Sequence, residues 1–134
     1  MMVGQQNSEL SAGKFAFPFE KLEVWQLSIE LAEYVLKLLN LLPLNRHQRL
    51  IGQMETAVTS IAQNIGEGKG RQYRKEFIQF LHIAEGSLFE VITLTEIFRR
   101  IRLITLEQSE EIRKRAEIID RKLRGLINSL KGRI

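Results

Sequence analysis

The sequence has no cysteine, which excludes a disulfide framework and any thiolate-held zinc. Its only prolines are Pro18 and Pro43, so long stretches lack the residue that most strongly interrupts a helix. Histidine occurs only as His47 and His82. A di-iron bundle needs Glu-x-x-His on two helices plus two further glutamates, and Gln79 stands three residues before His82. No Ser-His-Asp or Cys-His arrangement can be assembled either. The expectation is a non-enzyme without catalytic residues, metal or cofactor. Aromatics are only 7% of the chain and form no stacking platform, and no helix-turn-helix is visible, which argues against sequence-specific readout of nucleic acid. No apolar run approaches the roughly 18 residues of a membrane span. The opening MMVGQQNSELSAGK has no basic stretch followed by an apolar one, so no signal peptide is expected. A cytoplasmic protein without a membrane partner follows.

What is present is a chain of 134 residues, 44% hydrophobic, enough for one well-cored domain. Residues 1–17 read as a flexible lead-in, with Phe15, Phe17 and Phe19 alternating around Pro18 as if to dock on apolar surface. Residues 18–134 read as a single all-α domain, given the dominance of Leu, Ile, Glu, Lys, Arg and Gln.

Four helices are predicted. The first runs from about Glu20 to Asn40, with Leu22, Trp25, Ile29, Ala32, Leu36 and Leu39 as one stripe. Val24, Leu31, Val35, Leu38 and Leu42 make a second stripe beside it, and Pro43 closes the helix. The second helix starts at Asn45, with Gln48 as capping-box partner and Leu50, Met54, Ala57, Ile61 and Ile65 as its seam. The third covers Tyr73 to Arg102, with Phe77, Leu81, Ala84, Leu88, Val91, Thr95 and Phe98 on one line. The fourth opens at Thr105, capped by Gln108, along Ile112, Ala116, Ile119, Leu123, Leu126 and Leu130. Long helices joined by short turns describe an antiparallel up-down four-helix bundle. On the third helix Phe80, Ile83, Leu94, Ile97 and Ile101 widen the apolar arc beyond the face that one small bundle can cover.

The segment SIAQNIGEGKGRQYRKEF, residues 60–77, invites comparison with a phosphate-binding loop. Such a loop requires Ser or Thr after its lysine and a strand before it. Gly70 follows Lys69 and a helix precedes it, so the segment reads as a helix–helix turn, with Gly66, Gly68 and Gly70 free to adopt positive φ. Lys69, Arg71, Arg74 and Lys75 crowd that turn at a helix N-terminus, where an anion would relieve the conflict with the helix dipole.

The net charge of +4 is unevenly distributed. Residues 1–67 hold five Lys or Arg against seven Asp or Glu, and residues 68–134 hold fifteen against nine. An anionic partner for the second half is the functional reading, and a solvated helix face the plain one. The candidate nucleic-acid contacts are Lys69, Arg71, Arg74, Lys75, Arg99, Arg100, Arg102, Arg113, Lys114, Arg121, Lys122 and Arg124. Glu110, Glu111, Glu117 and Asp120 lie among them and can compensate them.

FEKLEVWQLSIELAEYV at 19–35, SIAQNIGEG at 60–68 and FLHIAEGSLFE at 80–90 resemble the four-helix-bundle family of 23S rRNA intervening-sequence proteins. The related accessory variability determinant of diversity-generating retroelements looks like the same fold. The resemblance implies a ring-like homo-oligomer, a homopentamer, with no catalytic activity. For the retroelement branch it implies RNA or RNA–DNA and a reverse transcriptase as partners; for the other branch it implies a structural or protein-interaction role. Asn64, Glu67 and Gly68 match the motif at the end of the second helix, where Gly66 replaces the usual alanine. Gly86, Ser87 and Glu90 match that of the third. Physically, Gly86 would permit close helix approach, while Asn64, Glu67, Ser87 and Glu90 would satisfy one another or exposed backbone groups. The over-wide apolar arc independently predicts self-association. Light scattering of the purified chain is expected to give several times the 15.6 kDa of one copy, and a concentration-independent monomer mass would refute this.

Overall fold

In a computed structural model, which describes residues 16–132, the chain begins with a short 3-10 turn, Pro18–Lys21. Phe15 and the rest of residues 1–15 lie outside the described residues. Proline occupies the first position of this turn, where its missing N–H is no loss. The Glu20 carboxylate accepts the backbone N–H groups of Ala16 and Phe17 at 3.0 and 2.9 Å. The first long helix therefore begins later than predicted. The four helices are α1 (Glu23–Leu39), α2 (Gln48–Lys69), α3 (Arg74–Arg100) and α4 (Leu106–Lys131). The fold is all-α, a four-helix bundle, and α1–α2, α2–α3, α3–α4 and α4–α1 pack side by side.

The seams of α2, α3 and α4 are largely as predicted. Every member of the α3 line from Phe77 to Phe98 is buried, as are Met54, Ala57, Ile61 and Ile65 of α2. On α4, Ile127 takes the buried place assigned to Leu126, which is only partly covered. On α1 the core draws on both stripes: Val24, Leu31, Val35 and Leu38 of the second are buried together with Ala32 and Leu39 of the first, whereas Trp25 is half-buried and Ile29 is 42% exposed. Three buried hydroxyls satisfy themselves on their own helices: Ser28 donates to the Val24 carbonyl, Thr95 to Val91 and Ser109 to Leu106, each at 2.7 Å. An 18-residue window of α3 has a mean hydropathy of 1.3, so by length and composition this helix, contrary to expectation, could cross a membrane. Its seam is committed to the bundle core instead.

The helix ends bring several corrections. Thr105 and Gln108 form the expected capping box, each side chain accepting the other's backbone N–H at 3.0 and 2.9 Å. Asn45 and Gln48 do not: α2 starts at Gln48, His47 sits left-handed at φ 57°, and the Gln48 amide donates to the Leu44 carbonyl. Gly66 and Gly68 do not end α2 with positive φ; both are helical, and Gly70 has φ −79°. The close helix approach assigned to Gly86 belongs to Gly68. A Cβ on Gly68 would lie 2.6 Å from the Phe80 Cβ and 3.0 Å from the Phe77 ring, whereas one on Gly86 or Gly125 would meet nothing within 4 Å. The third helix ends at Arg100 rather than Arg102. Arg102 lies beyond it at φ 62°, and the Leu103 N–H reaches back to the Phe98 carbonyl at 2.8 Å. Together with the bond from Arg102 N–H to the Arg99 carbonyl at 3.0 Å, this is a Schellman closure with arginine where glycine is usual.

Two glycine substitutions of opposite sign test this packing. Gly68→Ala is expected to cost about 1–3 kcal/mol, because the neighbour it meets is fixed to the α3 backbone. Gly125→Ala, in open space, is expected to gain about 1 kcal/mol from helix propensity. Urea unfolding of both variants checks the pair.

Candidate nucleic-acid interface

The predicted cations do not form one patch. Lys69, Arg71, Arg74 and Lys75 gather at the α2–α3 turn, whereas Arg99, Arg100 and Arg102 lie at the other end of α3. A 27-residue helix separates the groups, about 40 Å at 1.5 Å per residue. Arg113, Lys114, Arg121, Lys122 and Arg124 run along α4 between these ends.

Many of these charges already have partners. Lys69 lies over the Phe77 ring at 5.8 Å, and Arg71 over Phe80 at 4.7 Å while pairing with Glu67 at 3.4 Å. Arg99 grips Glu96 through two bonds of 3.2 and 2.7 Å, and Arg100 reaches the same carboxylate at 2.7 Å. Lys122 meets Glu23 of α1 at 3.0 Å. Arg124 bridges Asp120 at 3.2 Å and Glu85 of α3 at 3.7 Å. Arg115, outside the predicted set, pairs with Glu111 and covers Tyr34. Lys75, Arg102, Arg113, Lys114 and Arg121 are exposed, and none has a partner among the described residues. On α4, Lys114 and Arg121 lie opposite the buried Ile112–Ile119–Leu123 seam, as the sequence indicates.

The motif residues act mostly within their own helices. The Asn64 amide donates to the Ser60 carbonyl at 2.8 Å, and Glu67 pairs with Arg71. Ser60 donates to Ser87 at 2.6 Å, so the α2–α3 polar contact runs through the serine that opens the 60–68 motif rather than through Asn64 or Glu67. Glu90 is exposed on α3. The four do not satisfy one another as a group: Asn64 and Glu67 each bond a partner four residues away in sequence.

An apolar groove of about 450 Å³ opens between α1 and α2, lined by Phe19, Trp25, Ile29, Ala32, Ala62 and Gly66. Sequence periodicity shows its stripe but not its shape. The shape depends on Phe19, which stacks on Phe17 at 5.7 Å and tilts against Trp25 at 5.4 Å. The pairing of Asp120 and Glu85 through Arg124 was likewise not legible, since Glu85 looks like one helix carboxylate among many.

The packing and surface define a basic, four-helix-bundle protein. The chain belongs to the 23S rRNA-intervening sequence protein family, whose family model matches residues 20–125. It is similar to a crystal structure of a protein with unknown function from the S23 ribosomal protein family of Bacteroides thetaiotaomicron. That likeness has 31% identity and a TM-score of 0.70, covering 78% of this chain and 97% of the other. No curated protein matches the chain.

Arg99 first and Arg100 second, by hydrogen bonds, hold the Glu96 carboxyl down to about 2 from an ordinary 4.5. A carboxyl lowered by folding stabilises the native state above its unfolded value and loses that contribution as pH falls through its folded value. The stability difference between wild type and Glu96→Gln is therefore expected to shrink between pH 4.5 and about 2. Thermal midpoints of both proteins across that range, with a carboxyl NMR titration of Glu96, check it.

Proposed function

We propose that this chain is a non-enzymatic, self-assembling scaffold that binds RNA or an RNA–DNA hybrid through its cationic outer surface. The observation that carries the reading is the set of exposed cations without a partner among the described residues, above all Arg113, Lys114 and Arg121 on α4. Arg102 adds to it: a left-handed arginine at φ 62° is less stable than glycine there by up to about 1 kcal/mol. A guanidinium kept at that cost suits a functional contact. The family's name refers to an rRNA sequence, which supports an RNA setting.

An up-down antiparallel arrangement is supported by contacts whose numbers run in opposite senses. Ser60 meets Ser87 while Gly68 meets Phe77 and Phe80, and Tyr34 meets Arg115 while Glu23 meets Lys122. Self-association into a ring is supported by the exposed Ile29, Ile83, Ile97 and Ile101. Five copies at +4 each would carry +20, and counterion release would add over many phosphates. An accessory role beside a reverse transcriptase is supported by the motif resemblance to the retroelement proteins, with no feature of the surface adding to it; co-purification with such an enzyme is its check. A purely structural or protein-interaction oligomer is the second reading, favoured by the internal pairing of Arg71, Arg99, Arg100, Lys122 and Arg124.

Binding to structured RNA measured over a range of salt separates the two readings. Replacing Arg113, Lys114 and Arg121 together by Gln is expected to weaken binding and to reduce the slope of log affinity against log salt by about two to three. Arg102→Gly is expected to stabilise the fold by up to about 1 kcal/mol while weakening binding. Salt-insensitive or undetectable binding by the wild type would leave the second reading.

A further inference from the structure

Leu41 and Leu44, between α1 and α2, are 78% and 86% exposed, more than any other large hydrophobic among the described residues. Between α3 and α4, Ile101 is 43% exposed, and Leu106, the first residue of α4, is 55% exposed. With the helices alternating in direction, as proposed above, residues 40–47 and 101–105 lie at one end of the bundle. Leu42, Leu103 and Ile104 of the same connections pack with the core, so each loop is anchored while its neighbouring apolar residues stay in solvent. The same end is cationic. Residues 40–52 and 96–107 hold five arginines against two glutamates. Arg46, Arg49 and Arg102 are exposed, with no partner among the described residues. Of the carboxylates, Glu96 is already shared by Arg99 and Arg100; Glu107 is exposed, with Glu110 three residues further along α4. His47 at φ 57° and Arg102 at φ 62°, the non-glycine residues with positive φ among those described, both fall in these two loops. Backbone held in that region tends to mark functional positions.

We propose that this end of the bundle docks on an anionic lipid surface. Leu41 and Leu44 enter the boundary between headgroups and acyl chains, and Arg46, Arg49 and Arg102 meet lipid phosphates. Apolar side chains flanked by cations have the composition of a peripheral membrane contact, in which burial of the first and attraction of the second add. Shape favours a bilayer over a folded protein. A leucine 86% exposed has almost no protein wall beside it, so a rigid partner would have to supply a whole pocket for each tip. None of the four exposed apolar residues lines the α1–α2 groove. A fluid interface closes around a convex tip without needing a matching shape. The arginines then select an anionic surface over a neutral one. The contact is with one leaflet and is not a span, and it departs from the sequence-based expectation of no membrane partner. It does not depend on RNA binding, whose leading cations Arg113, Lys114 and Arg121 lie along α4. Arg102 is common to the two surfaces, whereas Arg46 and Arg49 belong to this one alone.

The chain has no cysteine, so Leu44→Cys gives a single attachment point for an environment-sensitive dye. Ser129→Cys, exposed near the other end of α4, gives the control. The probes are vesicles of phosphatidylcholine alone and of phosphatidylcholine with phosphatidylserine. Emission from the dye at position 44 is expected to shift to the blue on the anionic vesicles only, and that from position 129 to stay unchanged. In vesicle sedimentation, Leu41→Ser with Leu44→Ser is expected to lower the partition coefficient about tenfold. Arg46→Gln with Arg49→Gln is expected to lower it by a similar factor, about tenfold, and to weaken its salt dependence. All four side chains are exposed, and circular dichroism checks that the helices stay intact. The leucine pair is expected to leave RNA binding unchanged, so this proposal and the RNA reading fail separately. No binding of the wild type to the anionic vesicles overturns the proposal. Vesicle binding that survives the leucine substitutions also overturns it, since that is adsorption through cations elsewhere. Leucine-dependent binding of an acidic amphipathic helical peptide of Glu and Leu, without vesicle binding, would assign this end to a protein partner instead.

Discussion

Geometry at one end of the bundle depends on how closely α2 and α3 approach at Gly68. The missing side chain lets the α3 backbone come in until Phe80 and Phe77 fill the space where a Cβ would be. Phe77 is thereby buried and Phe80 partly so, and both rings end beneath the turn. Lys69 and Arg71 then lie over those rings rather than extending freely. Two residues earlier, Gly66 faces another neighbour, with Phe19 and Trp25 each 3.5 Å from where its side chain would begin. Positions two apart on a helix point to nearly opposite sides. Of the two glycines of GEG, Gly68 is the one whose missing side chain admits α3, whereas a Cβ on Gly66 would make ordinary contact with the aromatic entrance of α1. Phe19, Trp25 and Gly66 line the groove on that side.

The charges obey a similarly local logic. Glu96 is shared by two arginines one turn away, and Glu111 and Asp120 each hold an arginine four residues on. Such exposed pairs contribute little to stability, but they remove several arginines from the pool available to an outside anion. A surplus that counts as six charges in the sequence becomes a sparser set in space. What remains lies along α4 and at the two ends of α3 rather than in a single basin.

Much of the core was legible because burial follows the helical period. Phe77 through Phe98 and Met54 through Ile65 needed nothing beyond spacing. The Thr105–Gln108 cap was legible because both partners sit on the same turn. The errors have a different origin. On α1 two apolar stripes lie side by side, and periodicity cannot say which of them meets the core; packing against α2 and α4 decides it. Gly66, Gly68 and Gly86 look alike as letters, yet only the neighbouring helix determines whether the absent side chain matters. Asn45 has the chemistry of a cap, but the chain takes a left-handed step at His47 first, and the helix begins beyond it.

The placement of the two surpluses, apolar and cationic, bears on whether one molecule can both assemble and bind. On α3, Ser87, which bonds Ser60 of α2, lies on the same flank as the exposed Ile83. On the far flank of α3, Glu85 meets Arg124 of α4. The exposed isoleucines therefore lie toward the α2 side of α3, while Lys114 and Arg121 lie on α4 opposite its buried seam. The apolar and the cationic surplus occupy different sides of the bundle, so covering the first does not require covering the second.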